Sequence, residues 1–461
     1  MTRLVVVGGG VAGLSAAWEA VQDGAFDEVL VLEPAAQTGG KLRTSDLFLP
    51  DGTALRIDEG ADAFLARRPE AVQLCQELGL ADELTSPAVG RAKVFVDGEL
   101  RFLPARTLLG VPLSTDDPEV AAVLGPDGVA ELAEADAVDH PPLVGDAAVG
   151  PLLRERLGAT TVDRLVGPLL GGINAGDVER MSLRAVAPQL ADAAAQGGSL
   201  VQAAAAQVAP AQGPVFQTPL AGSQRLVERL TEELLARGVQ VRTATPATGL
   251  ATDGTRLQVT TPSAPLEGDA VVLAAPADVA GRLLAAVSPT AAGLLAQVDH
   301  VSVAFVTLAF DRADVPGPLD AAGMLVPRAA GTTITAASWG SVKWAHWDDG
   351  RHLVVRASVG HDGDDRGRTW SDDELLAAVR RDLRTTMGIE AAPVAVRTTR
   401  WTDAFPQYRP GHLDLVRQVT ETLAGDLPQL RLAGMAYEGV GIPASIGSGR
   451  RAAAELAALR G

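Results

Sequence analysis

The chain has 461 residues, 47% of them hydrophobic and 21% charged, with a formal net charge of −18 at neutral pH. That is the composition of a globular chain long enough for two or three domains, and its negative balance argues against nucleic acid as a partner and against electrostatic docking to anionic lipid. A single cysteine, Cys75, excludes an intrachain disulfide and fits a reducing, cytoplasmic setting, while six scattered histidines offer no paired metal-ligand spacing.

In chain order, Leu4 to Val7 reads as a buried strand and Ala12 to Val21 as a helix. Between them Gly8, Gly10 and Gly13 fit G-x-G-x-x-G. Gly8 makes the tight turn, Gly10 lets backbone approach a pyrophosphate, and Gly13 lets helix and strand pack closely. Free N–H groups at the helix start favour phosphate. Gly8, Gly9, Gly10, Val11, Ala12 and Gly13 are therefore candidate cofactor-binding residues. A second strand, Glu28 to Leu32, leads into Glu33, which lies 20 residues beyond Gly13. A carboxylate there accepts ribose hydroxyls and repels a 2′-phosphate. The early apolar run is too short for a signal peptide, and no stretch of about 18 apolar residues suggests a membrane span.

Next come "GGKLRT" and a strand–glycine turn–helix segment that carries Cys75 on its apolar side. Gly40 keeps backbone close to a ligand, and Lys41 and Arg43 can meet phosphate or ribose oxygens; a surface loop with two solvated cations is the competing reading. "KVFVDGELRFLP" is a hairpin about Asp97–Gly98. Residues 105 to 215 read as mainly helical, ending in an Ala-rich helix and a mobile connection within 193 to 213. Strand–helix rhythm returns from 216, followed by an edge hairpin and the buried strand Val271 to Ala274. Strands dominate 299 to 360, a Ser-capped helix follows at 371 to 388, and the chain closes as strand, glycine loop and helix.

This order predicts an α/β protein. A discontinuous Rossmann-type nucleotide domain takes residues 1–72, 218–282 and 415–461. An α+β substrate domain takes 73–104, 161–217 and 283–414, with a helical insertion at 105–160.

Several segments together carry a family resemblance. "VVVGGGVAGLSAA", "GGKLRT" and "AGMAYEGVGIPASIGSGRRAA" are similar to the flavin amine oxidase and carotenoid desaturase superfamily. "DEGADAFLARRP", "VGPLLGGINAGDVERMSL", "TPLAGSQRLVERL" and "WTDAFPQYRPGH" resemble the FAD-dependent porphyrinogen oxidases of heme synthesis, above all the soluble bacterial branch that acts on coproporphyrinogen III. The resemblance implies a non-covalent FAD, O2 as electron acceptor, and three hydride-abstraction rounds that release peroxide. It implies that Glu59, Gly60 and Ala61 lie beside the flavin ring, that the backbone of Ala247 meets adenine, and that Trp401 stands near the isoalloxazine, where an ordinary core tryptophan competes. Gly434, Val440, Gly441 and Ile442 would aim the last helix, with Pro443 at its N1 position, at the flavin. Arg68 matches a basic position expected to face a propionate, with a solvated arginine as the competing reading. Asn174 stands where many relatives have Tyr. No protein acid or base is required, because the tetrapyrrole can tautomerise. The acidic insertion predicts weak or no membrane contact, and a transient contact with the next heme-pathway enzyme is expected. Protoporphyrinogen IX oxidase is the neighbouring reading. An amine oxidase would frame its substrate with aromatics, which make up only 4% of this chain; a desaturase or a flavin scaffold fits less well.

Overall fold

A computed structural model describes residues 2–208 and 213–460. Part of the connection expected within 193 to 213 falls on residues 209–212, outside the described residues; the helix expected there is Leu200–Gln207, capped by the Ser199 hydroxyl.

Five parallel strands lie in the order Gln240–Arg242, Glu28–Leu32, Arg3–Val7, Ala270–Leu273, Leu430–Leu432. Three distant stretches of chain thus build one sheet. Its three inner strands carry continuous apolar runs because both faces are covered, while the edge strands, "QVR" and "LRL", are short and mixed. Leu4, Val6, Val31 and Val272 pack under the helices Val11–Asp23, Gln224–Ala236 and Ile442–Ala458. Val5, Leu30, Val271 and Leu273 face the helices Ala277–Leu284, Pro289–Leu295 and His412–Asp426. Where the sequence suggested an edge hairpin, a three-stranded meander forms from Gly249–Thr252, Leu257–Thr260 and Leu266–Gly268. Its third strand is too short to show a period.

The second layer is a seven-stranded sheet in the order Ala395–Pro406, His300–Asp311, His352–Val359, Ile334–Trp339, Gly323–Leu325, Lys93–Val96, Glu99–Phe102. The hairpin about Asp97–Gly98 forms, with φ of +53° and +80° at the two turn residues. One face, including Ala304, Val306, Ile334 and Val355, is sealed by the helix Asp372–Met387. Buried Asp382 on that helix accepts the backbone N–H groups of Thr333 and Ile334.

The opposite face is covered only at its ends. At one, the antiparallel pair Thr44–Phe48 and Ala54–Asp58 packs on Val354 and Ala309. At the other, Val94 and Val96 lie against the helical region. Between them one register row, Thr399, Phe305, Ser358, Ala336 and Leu325, stays half-exposed across five strands. Trp401 shares that face, two residues along from Thr399.

The helical region comprises Pro118–Asp136, bent at Gly125, then Val149–Leu157, a stretch from Ala159 to Asn174, and shorter helices to Gln207. Buried Arg156 knits it together by donating to Pro141 O and Ala194 O. No helix among the described residues is long and apolar enough to cross a membrane.

The first and last helices are tied together over the parallel sheet by a close backbone approach. A Cβ placed on Gly449 would stand 2.0 Å from Ala12 O, so only glycine permits it. Gly449→Ala must push the helices apart and is expected to cost about 3 kcal/mol, at the upper end of overpacking penalties. Gly425, where an added Cβ would meet nothing within 4 Å, serves as control: Gly425→Ala should stabilise by about 0.5 kcal/mol. Denaturant melts of both variants check the pair; equal effects would contradict the packing argument.

Candidate active site

At the C-terminal edge of the parallel sheet, the crevice that binds ligands in open α/β sheets, the three chain stretches converge. The strand Arg3–Val7 ends at Gly8, whose φ is +112°. A Cβ on Gly8 would lie 2.4 Å from Ala274 O, and one on Gly13 would lie 1.9 Å from Gly8 O. The protein's own packing therefore demands both glycines. Gly10 is different. Its φ of −75° suits any residue, and a Cβ there would meet nothing nearer than Gly40 Cα at 4.0 Å. That space is left for something other than protein. Gly10 is the N-cap of the helix Val11–Asp23 and gives it no side-chain cap, so Val11 and buried Ala12 open the helix toward the same space.

Glu33 is buried just past its strand. Its two carboxylate oxygens accept the N–H groups of Gly9 and Ala35, both at 2.8 Å. Each oxygen keeps a further lone pair for a hydroxyl. The Thr245 N–H donates to Glu33 O, and Ala244 donates to Ala35 O, which brings Ala247 alongside this strand end.

The "GGKLRT" loop lies directly on the glycine turn: Gly39 N–H donates to Gly9 O, and a Cβ on Gly40 would touch Gly10 Cα at 3.2 Å. Lys41 points inward. Its Nζ donates to Ala404 O and lies 3.2 Å from Met435 Sδ. Burial lowers its pKa to about 8, against the opposing pull of Asp278. Arg43 is exposed, 3.1 Å from a Glu59 carboxylate oxygen, with its guanidinium 5.8 Å from the Trp401 ring centre. Trp401 Nε1 donates to Glu59 O at 2.9 Å, and a Cβ on Gly60 would fall 2.5 Å from Lys41 O and 3.1 Å from the Trp401 ring. Lys41, Arg43, Glu59, Gly60 and Trp401 thus form one cluster, with Ala61 exposed beside it.

Sequence reasoning missed what props this cluster up. Arg356, an arginine inside the apolar strand "HLVVRASV", donates to Asp58 O and Gly60 O. It stands 3.4 Å from Asp62. Burial alone would raise the Asp62 carboxyl, but Lys343 at 2.9 Å, Arg356 and the Trp344 indole N–H outweigh it and hold it well below the usual carboxylate range. The visible signal was the lone charge in a strand otherwise fit for a core.

The third stretch is the terminal loop. Gly434, at φ +125°, donates its N–H to Ser448 Oγ at 3.0 Å. The helix Ile442–Ala458 begins after Gly441, at φ +112°, with no side-chain cap; Pro443 therefore sits at N2, one residue later than expected. Val440 precedes Gly441. A Cβ added to Gly434 or Gly441 would meet no protein atom within 4 Å. Tyr408 braces the loop: its hydroxyl donates to Met435 O and accepts the Gly439 N–H, and its ring stacks on His412 at 4.0 Å. The sequence showed "QYRPGH" as a motif but gave Tyr408 no role.

The two expected substrate residues lie apart from this cluster. Arg68 is the N-cap of the helix Pro69–Glu77; it pairs with Glu70 at 2.9 Å and its side chain is 55% exposed. Asn174 is buried at the end of Gly167–Asn174, and its amide donates to Leu170 O on its own helix, so it does not present that donor outward.

A dinucleotide with flavin fits what is present. Unfilled space faces Gly10, Gly434 and Gly441; two uncapped helix starts supply N–H donors; Glu33 offers acceptors for a ribose; and Lys41 and Trp401 stand at the far end. The donor set is one for phosphate, ribose and an aromatic ring rather than for a metal.

Residues 11–457 match the family model of flavin-containing amine oxidoreductases. The chain is 35% identical to the coproporphyrinogen III oxidase of Mycobacterium tuberculosis, over 97% of this chain and 95% of that one. It is 30% identical to that of Bacillus subtilis, over 98% and 97%. To the protoporphyrinogen oxidase of Bos taurus it is 27% identical, over 98% of each. Among solved structures, one from Exiguobacterium sp. 255-15 superposes with a TM-score of 0.86 at 31% identity and 99% coverage of both chains. The cyclohexylamine oxidase of Brevibacterium oxydans, 18% identical with a TM-score of 0.71 and 99% coverage of both, shares the fold. This chain belongs to the flavin-containing amine oxidoreductase family.

Proposed function

We propose that this chain is an FAD-dependent oxidase that converts coproporphyrinogen III to coproporphyrin III in heme synthesis. Six electrons leave in three rounds, each taking a hydride and a proton, so that three O2 become three H2O2. The observation that carries the substrate reading is the half-exposed row from Thr399 through Phe305, Ser358 and Ala336 to Leu325, beside Trp401. Five strands at about 4.8 Å spacing make a floor roughly 19 Å across, wide enough for a broad macrocycle. The near-full-length similarity to coproporphyrinogen III oxidases supports the same substrate.

Bound FAD would supply the hydride acceptor and, with O2, the route to peroxide. The residues of the chain do the rest. The Glu33 carboxylate would hold the ribose hydroxyls, and the N–H groups that open the helix at Val11 would hold the pyrophosphate. The uncapped start of Ile442–Ala458 would favour negative charge on the near edge of the ring. The floor residues hold the macrocycle by apolar contact and exclude water. None of Trp401, Thr399, Phe305, Ser358, Ala336 or Leu325 titrates near neutral pH, so the floor gives no proton acceptor. Tautomerisation of the substrate then brings each outgoing proton to a pyrrole nitrogen, from which it passes to solvent, and no side chain is assigned as an acid or base. The reading carries with it a cytoplasmic enzyme that hands its product transiently to the next enzyme of the route.

Two outcomes test this. In air, the flavin-loaded protein should produce porphyrin fluorescence and peroxide from coproporphyrinogen III faster than from protoporphyrinogen IX. The reverse order would move it to the other substrate, and no turnover of either would defeat the tetrapyrrole reading. Separately, Gly10→Ala should leave the melting of the flavin-free protein within about 0.5 kcal/mol of the parent, the scale of an N-cap change. It should weaken FAD binding at least about tenfold, the loss of about 1.4 kcal/mol. Unchanged FAD affinity in that variant would remove the pyrophosphate from this turn.

A further inference from the structure

One buried cation reaches both halves of the site. Arg356 lies in the register row next to the floor. It pairs with Thr307, and Phe305 pairs with Ser358 two residues along, so Arg356 and Phe305 are diagonal neighbours on the same face of the seven-stranded sheet. The Arg356 guanidinium stands 4.9 Å from the centre of the Phe305 ring and 5.9 Å from that of Trp347. Its Nη1 donates to Asp58 O at 3.0 Å and to Gly60 O at 2.7 Å, and its Nη2 lies 3.4 Å from Asp62. The turn that packs on Trp401 and the one aromatic ring of the floor row thus meet at a single side chain.

The two groups differ in freedom. The guanidinium is buried and fixed by two carbonyls and a carboxylate. The Phe305 ring is half-exposed, and its row neighbours, Thr399 and Ser358, are too small to pin it. A desolvated cation over an aromatic ring attracts the negative charge of the ring face. Here the cation is the fixed partner, so the ring follows it. An ammonium could supply the charge, but not the planar fork that meets two carbonyls and a carboxylate at once.

We propose that Arg356 is a positioning residue for the oxidation: it fixes the Phe305 ring relative to the Glu59–Gly60 turn, and so sets how the macrocycle lies on the floor. The proposal rests on the tetrapyrrole reading. Phe305 makes the contact with the substrate. Arg356, buried behind it, acts through that ring and takes no part in the hydride step.

The test is a double-mutant cycle on the flavin-loaded protein. Phe305→Leu removes the ring and leaves the hydrogen bonds of Arg356 in place; Arg356→Lys keeps the charge and loses the fork. Without O2, each should slow the bleaching of the flavin by saturating coproporphyrinogen III about tenfold, short of the roughly hundredfold that a misplacement of about 1 Å can cost. Because one residue acts through the other, the double variant should also be slowed about tenfold, where independent effects would give about a hundredfold. The Soret circular dichroism of bound coproporphyrin III, which reports how that ring sits in its asymmetric surroundings, should change alike in both single variants and in the double. Melting and FAD retention check that each variant is folded. If Arg356→Lys is not, Arg356→Gln, whose amide still donates to a carbonyl, takes its place. Rates that multiply, a Phe305→Leu rate within about twofold of the parent, or circular dichroism unchanged in any variant would overturn the proposal. If neither coproporphyrinogen III nor protoporphyrinogen IX bleaches the flavin of the parent protein, the substrate reading fails instead, so the two failures are distinguishable.

Discussion

The molecule depends on one kind of contact: backbone laid directly on backbone at positions where no side chain fits. Gly13 over Gly8, and Gly449 over Ala12, let two helices settle onto the same end of the parallel sheet. The strands they cover come from chain segments hundreds of residues apart. Without those approaches, the uncapped starts of Val11–Asp23 and Ile442–Ala458 would not open toward a common space. Glycine at these points is a packing requirement. At Gly10 it is not, and that contrast is the ground on which we propose the pyrophosphate there.

Charge is arranged to serve the same end. Around the Glu59–Gly60 turn, buried Arg356 satisfies two carbonyls, and the Asp62 carboxylate lies between it and Lys343, facing both cations. A buried charge with one partner removed is costly, so this network fixes the turn against Trp401 rather than adding much net stability. The Tyr408 hydroxyl does the equivalent at the terminal loop, satisfying one acceptor and one donor that would otherwise be left open. Both devices hold backbone in place beside open space. That is what a site needs if its chemistry resides in a bound ring.

The half built on the parallel sheet was largely legible in the sequence. Glycine spacing, unbroken apolar strands and an acidic residue at a strand end are local patterns, and each leads to one geometry. The half built on the seven-stranded sheet was less so. Thr399, Phe305, Ser358, Ala336 and Leu325 come from five strands, and their common face is a matter of long-range register that no local period reveals. Arg356 stood out as a charge within an apolar strand, but its partners lie almost 300 residues earlier. Asn174 stood out from sequence only as a departure from its relatives, and the turn of its amide onto Leu170 O depends on packing. Arg68 was legible as a helix-start arginine; its pairing with Glu70 follows from the local spacing.

The most direct test is the flavin itself. The protein, saturated with FAD and freed of excess, is denatured, and the released cofactor is identified and counted. The account predicts one FAD per chain, released without proteolysis. FMN or a nicotinamide in its place, flavin that stays covalently attached, or no flavin retained at all would contradict it.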